Sequence, residues 1–368
     1  MNPYRIVISG GGTGGHIFPA ISIANTFKER YSDAEILFVG ANDRMEMERV
    51  PAAGYKIVGL SVSGFNRSNK LKNISIVWKL FKSLSKAKKL LREFKPDAVI
   101  GVGGYASGPT LWAATFLGIP TLIQEQNSYA GITNKLLGKR VSKICVAYEG
   151  MERFFPSQNI ILTGNPIRKD LEVALDVKED AMAYFNLSLL KKTVLIIGGS
   201  LGARSINNGI LKGLQQLFDN DIQVIWQTGK FYYESIKQQV AQIDTKGLLW
   251  YGDFISRMDY AYVAADLVVS RAGASSISEL CVLKKPAILV PSPNVAEDHQ
   301  TKNALAIVDK DAAMMIADKD VEALLVETII DLLQDTEKLH AFSEHIGLLA
   351  KPRSAESIVD EIEKIIKK

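Results

Sequence analysis

RIVISGGGTGGH, Arg5–His16, decides how this chain is read, and TVLIIGGSLGA, Thr193–Ala203, repeats it in the second half. Each is a short apolar run of strand type, then a glycine-rich turn, then a stretch with helical spacing. A strand that feeds a helix must return beside itself in parallel, and a parallel sheet is covered on both faces. Two such openings predict two units of this kind.

Outward from the first opening, Phe18–Arg30 has helical spacing and Glu35–Gly40 reads as a second strand. Ile74–Phe94 is a long helix, Ala98–Gly101 a strand after Pro96, and Pro109–Leu117 a helix. Thr121–Gln124 and Ile144–Ala147 complete the series. From the second opening, Gln223–Gln227, Leu248–Tyr251, Leu267–Ser270 and Ala287–Val290 repeat the pattern. The expected fold class is α/β, with two Rossmann-like domains in tandem, residues 1–168 and 169–350. The linker is expected between Gly164-Asn165-Pro166 and about Phe185, because Pro after Asn stops regular structure. After Pro352, residues 351–368 form a helix that can pack on either domain, the first included.

Bulk properties agree with two domains. The chain has 368 residues, 47% hydrophobic and 23% charged, against roughly 100–200 residues per domain. Its two cysteines, Cys145 and Cys281, lie far apart in apolar runs and read as buried thiols of a reducing compartment. No CxxC pair or Cys/His cluster suggests a metal. The sequence shows no secretory h-region and no run near the roughly 18 apolar residues of a membrane span, so a cytoplasmic protein is expected.

Charge is unevenly spread. Between Arg67 and Lys95 there are ten basic residues and one acid, Glu93, a local +9. The whole chain carries +4, so the remainder carries −5. An anionic partner for one face of the first domain follows. Nucleic acid is disfavoured because no nucleic-acid motif accompanies the charge; an anionic membrane surface attracts such a segment at about 1 kcal/mol per basic residue. Within it Ile74, Val77, Trp78, Phe81, Leu84, Leu91 and Phe94 recur at helical spacing and read as a core-facing stripe. Leu60–Phe65 just before it is a loop that can dip into the interface.

Six stretches carry chemistry. Gly10–His16 contains GxGxxG, whose glycines let backbone approach a ligand and whose following helix offers free N–H groups. A dinucleotide site also needs an acid at the end of the second strand, and ILFVG ends in Gly40-Ala41-Asn42, so a dehydrogenase is disfavoured. His16 sits on the first helical turn, where the helix N-terminus keeps the imidazole neutral, as a general base requires. Gly198–Ala203 offers a second turn, where Ser200 and loop amides can hold a diphosphate; it is not a P-loop, since no GK[ST] follows. Ser270–Glu279 follows a third strand: Glu279 can accept both ribose hydroxyls, and Arg271 can offset phosphate charge. Pro291–Gln300, Gln124–Asn127 and Gly101–Tyr105 lie at matching carboxyl ends of strands, the edge where ligands of open α/β sheets bind. The cleft between the domains is the expected reaction site.

In order along the chain, GGTGGHIFPA, GVGGYAS, QEQN, GNPIR, GGSLGA, DFISRM, SRAGASSISEL and AEDHQTKNA resemble the MurG family of peptidoglycan N-acetylglucosaminyltransferases over essentially the whole length. The resemblance implies a GT-B fold, UDP-GlcNAc as donor and undecaprenyl-diphosphate-linked MurNAc-pentapeptide (lipid I) as acceptor. It also implies inversion at the anomeric carbon and no metal or other cofactor. By position it implies donor contacts at Thr13, Gly14, Gly15, Asn127, Arg168, Ser200, Ile255, Ala274, Ser275, Ser276, Ile277, Ser278, Glu279 and Gln300. Acceptor contacts fall on Gly12, Tyr105 and Glu125, with His16 as base. The implied location is peripheral, on the cytoplasmic face of the bacterial plasma membrane. Another GT-B enzyme, such as a lipid glycosyltransferase or a UDP-GlcNAc 2-epimerase, and a non-catalytic nucleotide-sugar-binding membrane subunit remain as alternatives.

Overall fold

The computed structural model describes residues 3–62, 72–168, 171, 177–199 and 201–366. They form two compact units, Met1–Ile167 with Lys351–Lys368, and Arg168–Ala350.

Unit 1 is built on seven strands: β1 (Arg5–Ser9), β2 (Glu35–Ala41), β3 (Lys56–Leu60), β4 (Ala98–Gly101), β5 (Thr121–Glu125), β6 (Lys143–Val146) and β7 (Ile160–Leu162). All pair in parallel, in the order β3-β2-β1-β4-β5-β6-β7. The chain winds outward from β1 to β3, then crosses back to β4 and winds the other way. The switch point therefore lies between β1 and β4, where Ile6 pairs with Ala98 and Ser9 with Gly101. Successive side chains of a strand face opposite sides of the sheet, and here both sides are buried. Ile6 and Ile8 join one core with α1 (Gly14–Arg30), while Val7 joins another.

The first core also contains Ile358, Val359 and Ile362 of a C-terminal helix, Ser354–Ile366. That helix lies on α1, and Arg30 of α1 donates to Asp360 at 2.6 Å and Glu363 at 2.7 Å. The chain thus leaves unit 1 after Ile167 and returns to it at Lys351. The second core takes Ala87 and Leu91 of α3 (Lys72–Phe94) and Leu111 and Ala114 of α4 (Ser107–Phe116). Two further helices, α2 (Glu46–Ala52) and α5 (Ile132–Leu137), follow β2 and β5. β3, β7 and α2 have too few periodic residues to stand out in the sequence.

The apolar stripe of α3 differs from its expectation. Leu91 is buried, and Leu84 and Phe94 pack against the core, but Trp78 is 68% and Phe81 63% exposed. Only the C-terminal part of the described helix lies on the sheet, through Ala87 and Leu91. Helical spacing alone does not tell a core face from an apolar face turned elsewhere. Arg67 and Lys70, the loop from Ser63 to Phe65, and the side chains of Ile74 and Val77 lie outside the described residues.

Unit 2 has six parallel strands: β8 (Thr193–Ile197), β9 (Gln223–Gln227), β10 (Leu249–Gly252), β11 (Leu267–Ser270), β12 (Ala287–Leu289) and β13 (Met314–Met315). Their order is β10-β9-β8-β11-β12-β13, with the switch point between β8 and β11. Helices α6 (Lys178–Tyr184), α7 (Arg204–Asp219), α8 (Tyr233–Val240), α9 (Met258–Ala264), α10 (Ala274–Val282), α11 (His299–Val308), α12 (Val321–Gln334) and α13 (Thr336–Leu348) complete it, and the C-terminal helix is α14. One core, from Val194 and Ile196 through Trp226 to Leu325 and Ile329, holds α7 and α12 to the sheet.

Because Ile358 of α14 is fully buried in the first core of unit 1, Ile358→Ala is expected to destabilise that unit by about 2–5 kcal/mol. Denaturant unfolding followed by circular dichroism measures it.

Candidate active site

In unit 1 two glycine turns meet at the switch point. The turn after β1 and the turn after β4 touch backbone to backbone: a Cβ on Gly104, at φ +86°, would penetrate the carbonyl oxygen of Gly11. Gly11, at φ +147°, sits against the carboxylate of Glu46, so a side chain there meets that group. Only glycine suits positions with this conformation and this approach.

His16 lies on the first turn of α1, half-buried. Its Nδ1 is 3.0 Å from the carbonyl oxygen of Gly11 and 3.3 Å from Thr13 Oγ1. A carbonyl only accepts, so Nδ1 carries the proton of the neutral ring and Nε2 is its basic nitrogen. Nε2 faces Gly103, where an added Cβ would lie 2.8 Å away. Thr13 caps α1 in extended conformation, and Gly14 and Gly15 begin the helix, where amides have no intrahelical acceptor. Gly12 and Tyr105 are exposed beside these turns.

β2 ends in Gly40-Ala41 and is followed by Asn42, with no acid at the end of the strand. The structure supplies one from α2. Glu46 is 1% exposed, and its carboxylate accepts from Gly12 N at 2.8 Å and Ala41 N at 2.9 Å. It braces the turn from behind. The signal in the sequence was an acid in the first turn of a short helix directly after a buried strand.

Glu125, expected at the acceptor, is buried at the end of β5. Its oxygens accept from Asn127 N, Asn127 Nδ2, Gly131 N and Asn134 Nδ2 at 2.8–3.3 Å. The carboxylate therefore shapes its own loop and orients Asn127. Beside it, Gln124 donates to Asn165 Oδ1, and Asn165 Nδ2 donates to the carbonyl of Gln126. Gln126 Nε2 donates to the carbonyl of Val102. This buried amide network ties the loops after β4, β5 and β7 together.

In unit 2 the turn after β8 nests in the turn after β9: a Cβ on Gly229 would run into the amide of Gly202. Ser200 lies outside the described residues. Gln227, at the end of β9, donates to the carbonyl of Gly199 at 3.1 Å and accepts from Ile255 N at 2.9 Å. The Ile255 N–H is thus committed to Gln227, and the residue is buried. α10 begins at the switch point, directly after β11 and the cap residue Gly273. Ala274, Ser275 and Ser276 occupy its first turn, Ile277 is buried, and the Ser278 hydroxyl donates back to the carbonyl of Ala274 at 3.0 Å.

Glu279, one turn further, accepts from the buried Tyr262 hydroxyl at 2.9 Å. Burial, and then the Glu279 charge, push the Tyr262 phenol well above its ordinary range, so it remains a donor. The Arg168 charge, in the opposite direction, lowers the Tyr262 phenol. Gln300 Oε1 accepts from Ser292 N at 2.8 Å, which fixes its amide beside the loop after β12.

Arg271 does not serve as expected. Its guanidinium pairs with Asp318 and donates to Ser205 Oγ and to the carbonyls of Val290 and Pro291. Its charge is spent holding the loops after β12 and β13, rather than standing ready for a phosphate. Neither Gln227 nor Tyr262 was singled out in the sequence; a polar residue ending a buried strand was the signal for Gln227.

Two parallel-sheet units, each with a glycine turn and a helix N-terminus at its switch point, are the architecture of GT-B nucleotide-sugar glycosyltransferases. Models of the glycosyltransferase family 28 N-terminal domain and C-terminal domain match residues 6–146 and 193–360. A UDP-N-acetylglucosamine--N-acetylmuramyl-(pentapeptide) pyrophosphoryl-undecaprenol N-acetylglucosamine transferase of Parabacteroides distasonis is 65% identical, over 100% of both chains. The protein of the same name from Phocaeicola vulgatus is 58% identical, over 99% of this chain and 97% of that one. The crystal structure of Acinetobacter baumannii MurG superposes with a TM-score of 0.79 at 27% identity, covering 98% of this chain and 100% of that one. The chain belongs to glycosyltransferase family 28.

Gly104→Ala puts a side chain into the Gly11 carbonyl and onto a left-handed backbone. A cost of about 1–3 kcal/mol in stability is expected, read as a lowered thermal midpoint, together with loss of turnover.

Proposed function

We propose that this chain transfers N-acetylglucosamine from UDP-GlcNAc to the C4 hydroxyl of the N-acetylmuramyl unit of undecaprenyl-diphosphate-linked MurNAc-pentapeptide, with inversion, in peptidoglycan synthesis. The observation that carries the reading is His16. At the switch point of unit 1 its Nδ1 proton is held by the Gly11 carbonyl, which makes Nε2 the basic nitrogen of the ring.

In this reading the nucleotide belongs to unit 2. The Glu279 carboxylate, oriented by Tyr262, accepts from the ribose hydroxyls. The Ile255 carbonyl accepts from the uracil N3–H, since its N–H is already bound to Gln227. Diphosphate charge is met by the first-turn amides of α10 at Ala274, Ser275 and Ser276, and by Ser200. Arg168, Asn127, Gln300 and the amides of Thr13, Gly14 and Gly15 complete the donor contacts. Gly12 and Tyr105 face the acceptor, and Glu125 acts there by shaping its loop.

The chemistry is a single displacement. His16 Nε2 takes the proton of the C4 hydroxyl as its oxygen bonds to the sugar C1. The bond from C1 to the UDP oxygen breaks, and UDP leaves with the electron pair. Stabilising that developing charge is where preorganised amides contribute most.

The acceptor's lipid calls for a membrane. Trp78 and Phe81 of α3 and Phe116 of α4 are largely exposed, and Trp112 of α4 is 39% exposed. Lys88 Nζ sits 4.4 Å over the Phe116 ring and Arg140 4.4 Å over Trp112. α3 and α4 pack against each other over the same core. Exposed aromatic rings with cations beside them suit an anionic lipid surface. Among the described residues no helix is long and apolar enough to cross a membrane. With the exposed aromatic and basic surface as support, we assign the chain a peripheral place at the cytoplasmic face of the bacterial plasma membrane.

His16→Ala is expected to cut kcat by about 100-fold or more while UDP-GlcNAc still binds, read as UDP released in the presence of lipid-linked acceptor. Retention of more than about a tenth of the rate assigns the base elsewhere, and UDP-GlcNAc consumption without acceptor replaces transfer with epimerisation. Trp78→Ala combined with Phe81→Ala is expected to weaken sedimentation with phosphatidylglycerol-containing vesicles about tenfold or more, since each buried aromatic contributes about 1.5–3 kcal/mol, with UDP-GlcNAc affinity unchanged.

A further inference from the structure

The Gly11–Gly12 peptide unit is gripped at both ends. Its carbonyl, Gly11 O, lies 3.0 Å from His16 Nδ1, and its N–H, on Gly12, donates to Glu46 Oε2 at 2.8 Å. A carboxylate, a peptide and an imidazole therefore stand in one hydrogen-bonded line. We propose that Glu46 is a positioning residue for His16 and acts through this peptide. The inference rests on His16 being the base.

Three features support it. Glu46 is 1% exposed, so its charge is little screened by water. An amide whose N–H is bound to an anion has a more negative oxygen, because hydrogen bonds in a chain polarise one another. The contact is also built rather than incidental. Glu46 Oε1 is held by Ala41 N at 2.9 Å, which fixes the carboxylate to the end of β2. Any side chain at Gly11 would strike that carboxylate, and one at Gly40 would meet its Cγ at 2.6 Å.

The consequence is twofold. In the resting protein the Gly11 oxygen holds the Nδ1–H tautomer, so Nε2 keeps its lone pair. In the reaction, when Nε2 takes the acceptor proton, the new positive charge on the ring is shared with the Gly11 oxygen and, through the peptide, with Glu46. No proton moves along the line; the carboxylate stays ionised, as an orienting carboxylate does behind a catalytic histidine. The helix N-terminus of α1 opposes imidazolium formation, and the Glu46 charge, acting through the peptide at Nδ1, offsets it while Nε2 receives the proton.

The test uses full-length protein labelled with 15N-histidine, without substrates. His16 is one of four histidines, and its signals are assigned by their loss in His16→Ala. In the native protein the Nδ1–H tautomer is expected, with a downfield Nδ1 proton. In Glu46→Gln that proton is expected to move upfield and the Nε2–H fraction to rise at the same pH. In the same variant kcat is expected to fall about tenfold, with the KM for UDP-GlcNAc within about twofold, since a charge-assisted bond is roughly twice as strong as a neutral one. Should Glu46→Gln fail to fold, Glu46→Asp, which withdraws the charge by one methylene, is expected to give the same upfield move in smaller measure. An Nε2–H tautomer in the native protein, or unchanged His16 signals in the folded variant, overturns the relay. A native kcat in Glu46→Gln also overturns it and leaves Glu46 a loop brace. The spectroscopic arm involves no turnover, so it fails or succeeds independently of whether His16 is the base.

Discussion

Backbone against backbone at the switch point of unit 1 is the constraint on which the candidate site depends. Gly104 lies on the carbonyl of Gly11, and no side chain fits between them. This contact brings the turn after β4 onto the turn after β1. It sets the Gly11 carbonyl where His16 Nδ1 reaches it, with Gly103 packed close against Nε2. A parallel sheet with both faces buried holds the two strand ends in register, with Ser9 beside Gly101. The rigidity of the sheet is thereby passed to a single imidazole.

Unit 2 solves a similar problem with buried polar groups. Gln227 joins the turn after β8 to the loop carrying Ile255, and Tyr262 holds Glu279. Arg271 is consumed by Asp318 and two carbonyls. A charged side chain near a helix N-terminus is thus no guide by itself to what meets a ligand. Buried polar groups must find partners within the protein, and in this unit the longest and most charged of them do. In the function proposed above, the first-turn amides of α10 meet the diphosphate together with Ser200.

The same division of labour marks the acids of unit 1. Glu46 and Glu125 are both buried, and both accept from backbone amides of the loops they support. Each sets the shape of a turn, and each orients one polar side chain, His16 or Asn127, that is less buried than itself. Outside this region, α3 and α4 turn Trp78, Phe81 and Phe116 outward beside basic residues. The local charge of +9 is thus joined to an apolar surface.

The α/β class, the two glycine-turn openings and the strand ends at which His16, Glu279 and Gln300 stand are legible in the residues alone. These are local properties: apolar runs of strand length, turns that only glycine allows, and a helix after each. The excess of positive charge is legible there too, because charge adds along a chain whatever the fold. Tertiary structure alone decided which acid serves the first turn, since Glu46 comes back to Gly12 from a helix beyond the next strand. It decided that Arg271 is tied up by Asp318, and that Trp78 and Phe81 leave the core that Leu91 enters. Each of these depends on what lies opposite a residue in space. Periodicity describes only which residues share a face, not what that face meets.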